Sequence, residues 1–566
     1  MNDDPAVDVL IVGAGPTGTA LAIDLARRGH SLRVIDKSPH AFDGSRAKGI
    51  QPRSLEVLED LGALDDILAG GSGFPLLGVH LGPVTVPWRM VRNARAGVDV
   101  PYPSTWLIPQ FRTDRALRAR LESLGRRVEF GTELVELVQG PGAVTADVAG
   151  PDGIERIVAR YVVGADGGSS RVRKQLAVEF AGATGEQDRM LLVDAATSGL
   201  SRDRWHVWPG AGGRFVGACP LPYSDLFQWM IRPAQDEEPP GTEARINERV
   251  RSHTGNRRIA LTGIRWTSVF RPNIRLAESY RRGRVFLAGD AAHVHTPAGA
   301  QGLNTGLQDA YNLGWKLSQV LAGADDALLD SYEAERLPLA ESVLNLSTKK
   351  YEGIAKLDPS SIRRGKDEQQ LALTYHGGPL AARAHSDATK KLRVGDRAPD
   401  SRLAGRDGRP VRLFDLYQGP HFTAPAYGSR AGEALDRLEW PEVGAPLTRI
   451  VFGKDAGHAK DAEHAHHRLT DPRRTTRRVY GLTEDTLLVI RPDGYIGHNR
   501  SRLRRGLPVR HPKGRPDHDA RRMREEQGHL SEEEGHRHRS VACCLAVRTR
   551  AVAARPITVP AAMSVG

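Results

Sequence analysis

The sequence predicts an α/β fold: a Rossmann-like unit built from separated stretches of chain, with an antiparallel β-sheet inserted between them and a smaller unit after it. Three observations carry this expectation. The chain opens on "VDVLIV", a continuous apolar strand, then "GAGPTG", a helical run and a second apolar strand, "LRVID". That is the order of a βαβ unit whose parallel sheet is covered on both faces. Residues about 188–275 change texture: "RWHVWPG", "RFVGACPL" and "FQWMIRP" are short and aromatic-rich, with turn residues between them, as antiparallel strands are. The α/β style then returns in "RVFLAGDAAHVHTPAGAQGLNTGLQDAYNLGWKL", residues 284–317.

The remaining elements follow in order. The pattern predicts helices over about 52–69 and 111–125, then strands with polar turns over about 126–165, ending in "YVVGADGGSSRVR". Helices continue from 303 to about 356, and "PSSIRRGKDEQQ" is a polar break. From about 393 another unit begins, closing on "DTLLVIRPDGYIGHN". The expected boundaries are 1–180 and 279–390 for the two parts of the nucleotide-binding unit, 181–278 for the inserted sheet, and 391–500 for the last folded unit. Residues 501–566 are rich in Arg, His, Pro and Gly with little periodicity, which predicts a disordered basic tail.

Composition narrows the function. The formal net charge of +12 over 566 residues invites a nucleic-acid reading. Residues 501–566 alone hold 14 Lys and Arg against 7 Asp and Glu, so the rest of the chain is close to ordinary and no nucleic-acid partner is expected. The acidic start lacks the basic and apolar regions of a signal peptide, and no apolar run approaches the ~18 residues of a membrane span. Cys219, Cys543 and Cys544 are the only cysteines, too few for a disulfide framework or a zinc site, and a cytoplasmic protein without a metal is expected.

Gly13, Gly15 and Gly18 form G-x-G-x-x-G between a strand and a helix, with Pro16 and Thr17 inside the motif. The first glycine allows the turn, the second lets backbone approach a pyrophosphate, and the third lets helix and strand pack closely. Helix N-terminal amides then meet the diphosphate. Asp36 ends the second strand, placed to accept hydrogen bonds from a ribose diol; the alternative is a solvated strand-end carboxylate. The ligand is an adenine dinucleotide, and this motif alone does not separate NAD from FAD.

Two further motifs do. "GADGGSSRVRK" (164–174) and "FLAGDAAHVHTPAGAQGLNTGLQDA" resemble the second and third fingerprints of class A flavoprotein monooxygenases, the para-hydroxybenzoate hydroxylase family, in family order. The resemblance covers roughly residues 6–355. It implies FAD as cofactor, NADPH or NADH as co-substrate with no separate nicotinamide domain, O₂, and a small phenolic or polycyclic aromatic substrate hydroxylated through a flavin C4a-hydroperoxide. Baeyer–Villiger or epoxidising chemistry on the same fold stays open. By the same resemblance Asp290 bonds the ribityl chain, Pro297, Gly302, Leu303 and Asn304 line the flavin, Asp166 touches the cofactor, and Arg46 and Gln110 lie beside the ring. Residues 297–304 also present backbone N–H groups at a helix start, which suits the anionic edge of a reduced flavin.

The bland readings are a helix cap for Asp290, a turn cap for Asp166, and solvated polar groups for Arg46 and Gln110. His293 and His295 shape the loop or sit at its surface. Trp205, Trp208, Phe215, Phe227 and Trp229 are available to stack on a substrate or to fill a sheet core. No residue is singled out as a catalytic base. Residues about 393–499 resemble the thioredoxin-like C-terminal domain of aromatic-ring hydroxylases, without redox cysteines, which implies packing or dimer contact and leaves monomer or homodimer open.

Overall fold

The computed structural model describes residues 6–91, 94–185, 188–233, 237–296, 300–355, 367–381, 391–453, 464–483 and 485–500. The tail expected beyond residue 500, and Pro297, lie outside them.

Strand Val7–Val12 is the centre of a parallel sheet. It pairs with Leu32–Asp36 on one side and Gly153–Gly164 on the other. Val128–Phe130 extends the first side, and Val285–Leu287 the second. The separated stretches thus meet in one sheet, as the sequence predicts. Val9, Leu10, Ile11, Val34, Val162, Val163 and Phe286 have no exposed surface, because helices cover both faces. Helices Pro16–Ala26 and Gly302–Leu321 pack side by side on it.

The inserted sheet has seven strands, in the order Ala260–Phe270, Met190–Ser198, Leu226–Arg232, Phe215–Pro220, Arg204–Pro209, Leu76–Leu81 and Val84–Trp88. The last two come from a stretch read from sequence as part of the nucleotide-binding unit. Leu76–Leu81 runs parallel to Arg204–Pro209, so the sheet is not purely antiparallel. Alternation gives the sheet two faces. On one, Trp208, Val216, Ala218, Phe227, Trp229 and Ile231 are buried with Ile246 and Val250 of helix Glu243–Thr254. The other carries Asp194, paired with Gln228, Gly217, paired with Met230, and Trp205, and turns toward residues 44–48 of the first unit.

The last unit is a seven-stranded mixed sheet. Phe422–Tyr427, Leu447–Gly453 and His467–Thr470 are parallel; Thr486–Ile490, Ile496–Arg500, Arg402–Ala404 and Pro410–Arg412 flank them antiparallel. One face closes its own core around Ile450, Phe452 and Ile490. The other joins the main core, where the rings of Trp315 and Phe422 meet edge to face at 5.7 Å.

A buried ionic network crosses this junction. Glu335 accepts from Lys316 (2.7 Å), Asn312 (2.8 Å) and both terminal nitrogens of Arg491 (2.7 and 2.9 Å). Arg491 also pairs with Asp493 at 2.5 Å. Among the described residues no helix is long and apolar enough to cross a membrane.

Candidate cofactor site and active site

The dinucleotide turn is closed on one side and open on the other. A Cβ on Gly13, which sits at φ 103°, would lie 2.4 Å from the Ala165 carbonyl oxygen, and one on Gly18 would lie 1.9 Å from the Gly13 carbonyl oxygen. Both positions therefore require glycine. A Cβ on Gly15 would meet nothing within 4 Å. Gly15 faces open space at the mouth of the Pro16–Ala26 helix, which has no acidic residue in its first turn. Pro16 spends no N–H there. The Thr17 side chain fills the space that a Cβ on Gly289 or Gly306 would take, tying the first motif to the third. Asp36 is half-buried at its strand end. Its Oδ2 accepts from the Ala14 N–H at 2.8 Å and its Oδ1 from the Ser38 N–H at 2.9 Å, so it braces the turn and keeps lone pairs for a diol.

Asp166 lies against the same turn. Its Oδ2 caps the Arg171–Gln175 helix, accepting from the N–H groups of Arg171 (2.7 Å) and Val172 (3.2 Å). Its Oδ1 is buried without a partner among the described residues. The capping role and an oxygen left for a ligand coexist in one carboxylate.

Asp290 does not cap its own short 3-10 turn (Gly289–Ala291). Its side chain reaches solvent although protein surrounds it, the position of a group on the floor of a cleft. That enclosure raises its pKa, and the charges of His293 and Arg46 only partly oppose the rise. A Cβ on Gly302 would stand 3.8 Å from Asp290 Oδ1, so helix Gly302–Leu321 begins beside it. The N–H groups of Gly302, Leu303 and Asn304 have no backbone acceptor among the described residues, as the first turn of a helix leaves them. Arg46 is exposed at the same cleft.

The structure gives Asn304 and Gln110 a definite mechanical part. Asn304 is fully buried. Its Oδ1 accepts from the Gln51 N–H (2.8 Å) and its Nδ2 donates to the carbonyls of Gly49 (2.9 Å) and Ala300 (2.7 Å). Gln110 Oε1 accepts from the Ala47 N–H at 3.2 Å. Both side chains hold the 47–51 segment in place, so whatever Asn304 offers a ligand comes from its backbone.

Two groupings were not legible in the sequence, although His293 and His295 themselves were noted there. The first is a relay behind Asp290. His293 Nε2 meets Asp309 Oδ2 at 2.6 Å, Arg336 Nε donates to Asp309 Oδ1 at 2.7 Å, and His293 Nδ1 meets His295 Nε2 at 2.9 Å. Burial would raise Asp309, but His293 and Arg336 more than reverse this and hold its carboxylate ionised. Burial keeps His295 far below the ordinary imidazole range, and its Nδ1 has no partner among the described residues. His293 is thus a buried structural link of the third motif and His295 a half-buried one. The second is Asp114, whose burial pushes its pKa up to about 7 against Arg118 and Gln110. The only signal for either was an acid within a helical pattern, which reads as a solvated face.

Of the five aromatic candidates, Trp208, Phe227 and Trp229 fill the sheet's core face. Trp205 and Phe215 lie on the face toward the first unit, and Trp205 approaches Phe74 at 6.3 Å between ring centroids.

The residues present fit FAD. Among the described residues, an open glycine turn, an Asp166 oxygen without a partner, an accessible Asp290 and a helix start with unmet N–H groups are brought together by contacts between the three motifs. Comparison with known proteins agrees. Residues 6–347 match the family model described as FAD binding domain. A flavin-dependent monooxygenase of Mycobacteroides abscessus is 40% identical over 500 residues, covering 86% of this chain and 96% of that protein. Pentachlorophenol 4-monooxygenase of Sphingobium chlorophenolicum is 32% identical over 533 residues, covering 88% and 94%. The structure of aklavinone-11 hydroxylase in complex with FAD and aklavinone superposes with a TM-score of 0.73 at 27% identity, covering 89% of this chain and 97% of that one. With all three motifs converging on one cleft and relatives matched along nearly their whole length, the chain belongs to the FAD-binding-domain family of flavin-dependent monooxygenases.

Proposed function

We propose that the protein is an NAD(P)H- and FAD-dependent hydroxylase of phenolic or polycyclic aromatic compounds. The observation that carries this is the placement of the inserted sheet: its face bearing Trp205 and Met230 closes over the 44–48 segment beside the cleft that holds all three motifs. Bound FAD supplies the redox chemistry, taking electrons from NAD(P)H and activating O₂ for insertion into an aromatic ring.

The protein's residues bind and orient. Gly15 and the start of the Pro16–Ala26 helix receive the pyrophosphate, Asp36 the adenosine ribose, and Asp290 the ribityl hydroxyls. The N–H groups of Gly302, Leu303 and Asn304 would hold the flavin and favour negative charge on it, as a helix N-terminus does. Arg46, an exposed planar cation, would lie beside the ring, and Gln110 would act there through the 47–51 segment it holds. Asp166 offers its free oxygen near the dinucleotide turn. The aromatic sheet face excludes water from the reacting edge. The unit of residues 391–500 takes a thioredoxin-like arrangement, supported by its three central parallel strands flanked by the antiparallel pair Thr486–Ile490 and Ile496–Arg500. It has no cysteine for thiol redox chemistry, which leaves packing or dimer contact as its part.

The purified protein is expected to be yellow, to release FAD rather than FMN on denaturation, and to consume NAD(P)H faster with phenols or polycyclic phenols, with products one oxygen heavier by mass spectrometry. Colourless protein that FAD does not reconstitute, or NAD(P)H oxidation that no aromatic compound stimulates, would refute the proposal.

A further inference from the structure

Lys48 is a lysine set deep at the junction of the first unit and the inserted sheet, and no carboxylate pairs with it among the described residues. Its ammonium donates to Gln228 Oε1, lies 3.8 Å from Met230 Sδ, and stands 4.4 Å from the centroid of the Trp205 ring. The nearest acid, Asp194, is already engaged: it accepts from the Ser45 N–H at 2.7 Å and from the Ser45 hydroxyl at 2.5 Å. The hydrogen bonds form a directed chain. Ser45 Oγ accepts from Gln228 Nε2 at 2.7 Å, and Gln228 turns its carbonyl to Lys48. Asp194 thus fixes Ser45, Ser45 fixes the amide of Gln228, and Gln228 fixes Lys48.

An ammonium drawn half out of water without a counter-ion is costly unless something anionic joins it. Burial lowers the Lys48 pKa, and Cys219 and Asp194, the titratable groups facing it, only partly offset this. Two further observations point to a ligand. Lys48 and Trp205 are half-buried rather than sealed, so each keeps surface that a ligand can reach. The Trp205 indole N–H is buried with no acceptor among the described residues. Lys48 adjoins the third motif: a Cβ on Gly49, the next residue, would lie 3.1 Å from the Ala300 Cβ and 3.6 Å from the Phe74 ring.

We infer that Lys48, positioned through Gln228, Ser45 and Asp194, is the residue that recognises an oxyanion on the aromatic substrate, a phenolate or the enolate of a β-diketone, with the Trp205 ring and N–H beside it. This rests on the aromatic-hydroxylase reading and deepens it. The phenolic proton leaves to solvent, the oxygen lone pair meets the ammonium, and no bond to carbon changes in this step. Holding the ring as its anion makes it electron-rich, which electrophilic oxygen insertion needs. It also orients the ring by one fixed atom.

The test uses the FAD-loaded enzyme and two dyes of one shape: alizarin, whose anion is red and whose neutral form is yellow, and anthraquinone, which has no hydroxyl. At a pH where free alizarin is neutral, wild-type protein should bind it with the red anionic band. Lys48→Met and Lys48→Gln should bind it about ten- to hundredfold more weakly, the loss of one charge-assisted hydrogen bond, and in yellow form. Lys48→Arg should restore the red band, and anthraquinone should bind all four proteins alike. Alizarin bound yellow by wild type overturns the inference without any variant, so misfolding of a variant does not shelter it. Equal affinity and colour in wild type and Lys48→Met also overturn it, and leave the hydroxylase reading standing. If neither dye moves the flavin spectrum of wild type and no aromatic compound stimulates NAD(P)H oxidation, the hydroxylase reading falls and this inference with it.

Discussion

Asp290 and Asp114 are both enclosed acids with raised pKa values, and their surroundings separate their roles. Asp290 keeps accessible surface and accepts no hydrogen bond among the described residues, which suits a group waiting for hydroxyls. Asp290→Ala should weaken FAD binding about ten- to hundredfold. Titration of the apoprotein with FAD measures it, and unchanged affinity would remove Asp290 from the cofactor site. Asp114 is 3% exposed, and its Oδ1 has no partner among the described residues. With a folded pKa of about 7 against an ordinary 3.8, the native state holds the proton more tightly than the unfolded chain. The stability this gives is full below about pH 4 and is lost as pH rises through about 7. Wild type should therefore lose melting temperature between pH 5 and pH 8 more steeply than Asp114→Asn; parallel curves would show that the group does not titrate there. Residues fixed by backbone chemistry, such as Gly13, Gly18 and Asp36, were legible in the sequence because their spacing is local. Lys48 and Asp309 were not, since what defines each is a partner brought from far along the chain or buried within a helix.

At the scale of elements, the glycine turn and the helix it opens make two separable demands. Gly18→Ala drives a methyl group into the Gly13 carbonyl and should cost stability, about 3 kcal/mol, along with FAD. Gly15 has a backbone that alanine adopts freely, at φ −68°, and open space around it. Gly15→Ala should thus leave the apoprotein's melting temperature unchanged while weakening FAD binding, because the new methyl group enters the pyrophosphate's space. Thermal melts of the two apoproteins, beside their FAD titrations, check this; a matched fall in stability for both would show that Gly15 serves packing alone. The parallel sheet was readable because buried strands such as Val7–Val12 are continuous apolar runs. Leu76–Leu81 and Val84–Trp88 were missed because they sit at the rim of the inserted sheet, with Leu81, Val84 and Val86 exposed, and their pairing partner is remote. The two faces of that sheet follow from alternation, but which face meets the first unit is a tertiary fact. That is why Trp205 could not be told from Trp208.

For the whole molecule, helix Gly302–Leu321 is the common member. Its first turn borders the cofactor cleft, Asp309 holds the histidine relay, and Lys316 enters the network with Glu335 and Arg491. Glu335→Gln keeps the shape but leaves Lys316 and Arg491 short of negative charge, at about 3–5 kcal/mol. Calorimetry of wild type should show one transition with FAD release inside it. The variant should show residues 391–500 loosening first, read as early proteolysis there with flavin still bound; a single unshifted transition would show that the network does not couple the units. The network also has an internal charge balance. Lys316 and Glu335 form one neutral half, Arg491 and Asp493 the other, and each half is close in sequence. During synthesis the first half leaves the ribosome long before the second. Because each half is already neutral, neither waits with a bare buried charge, and the nascent flavin-binding fold can close on itself before its last strands are made.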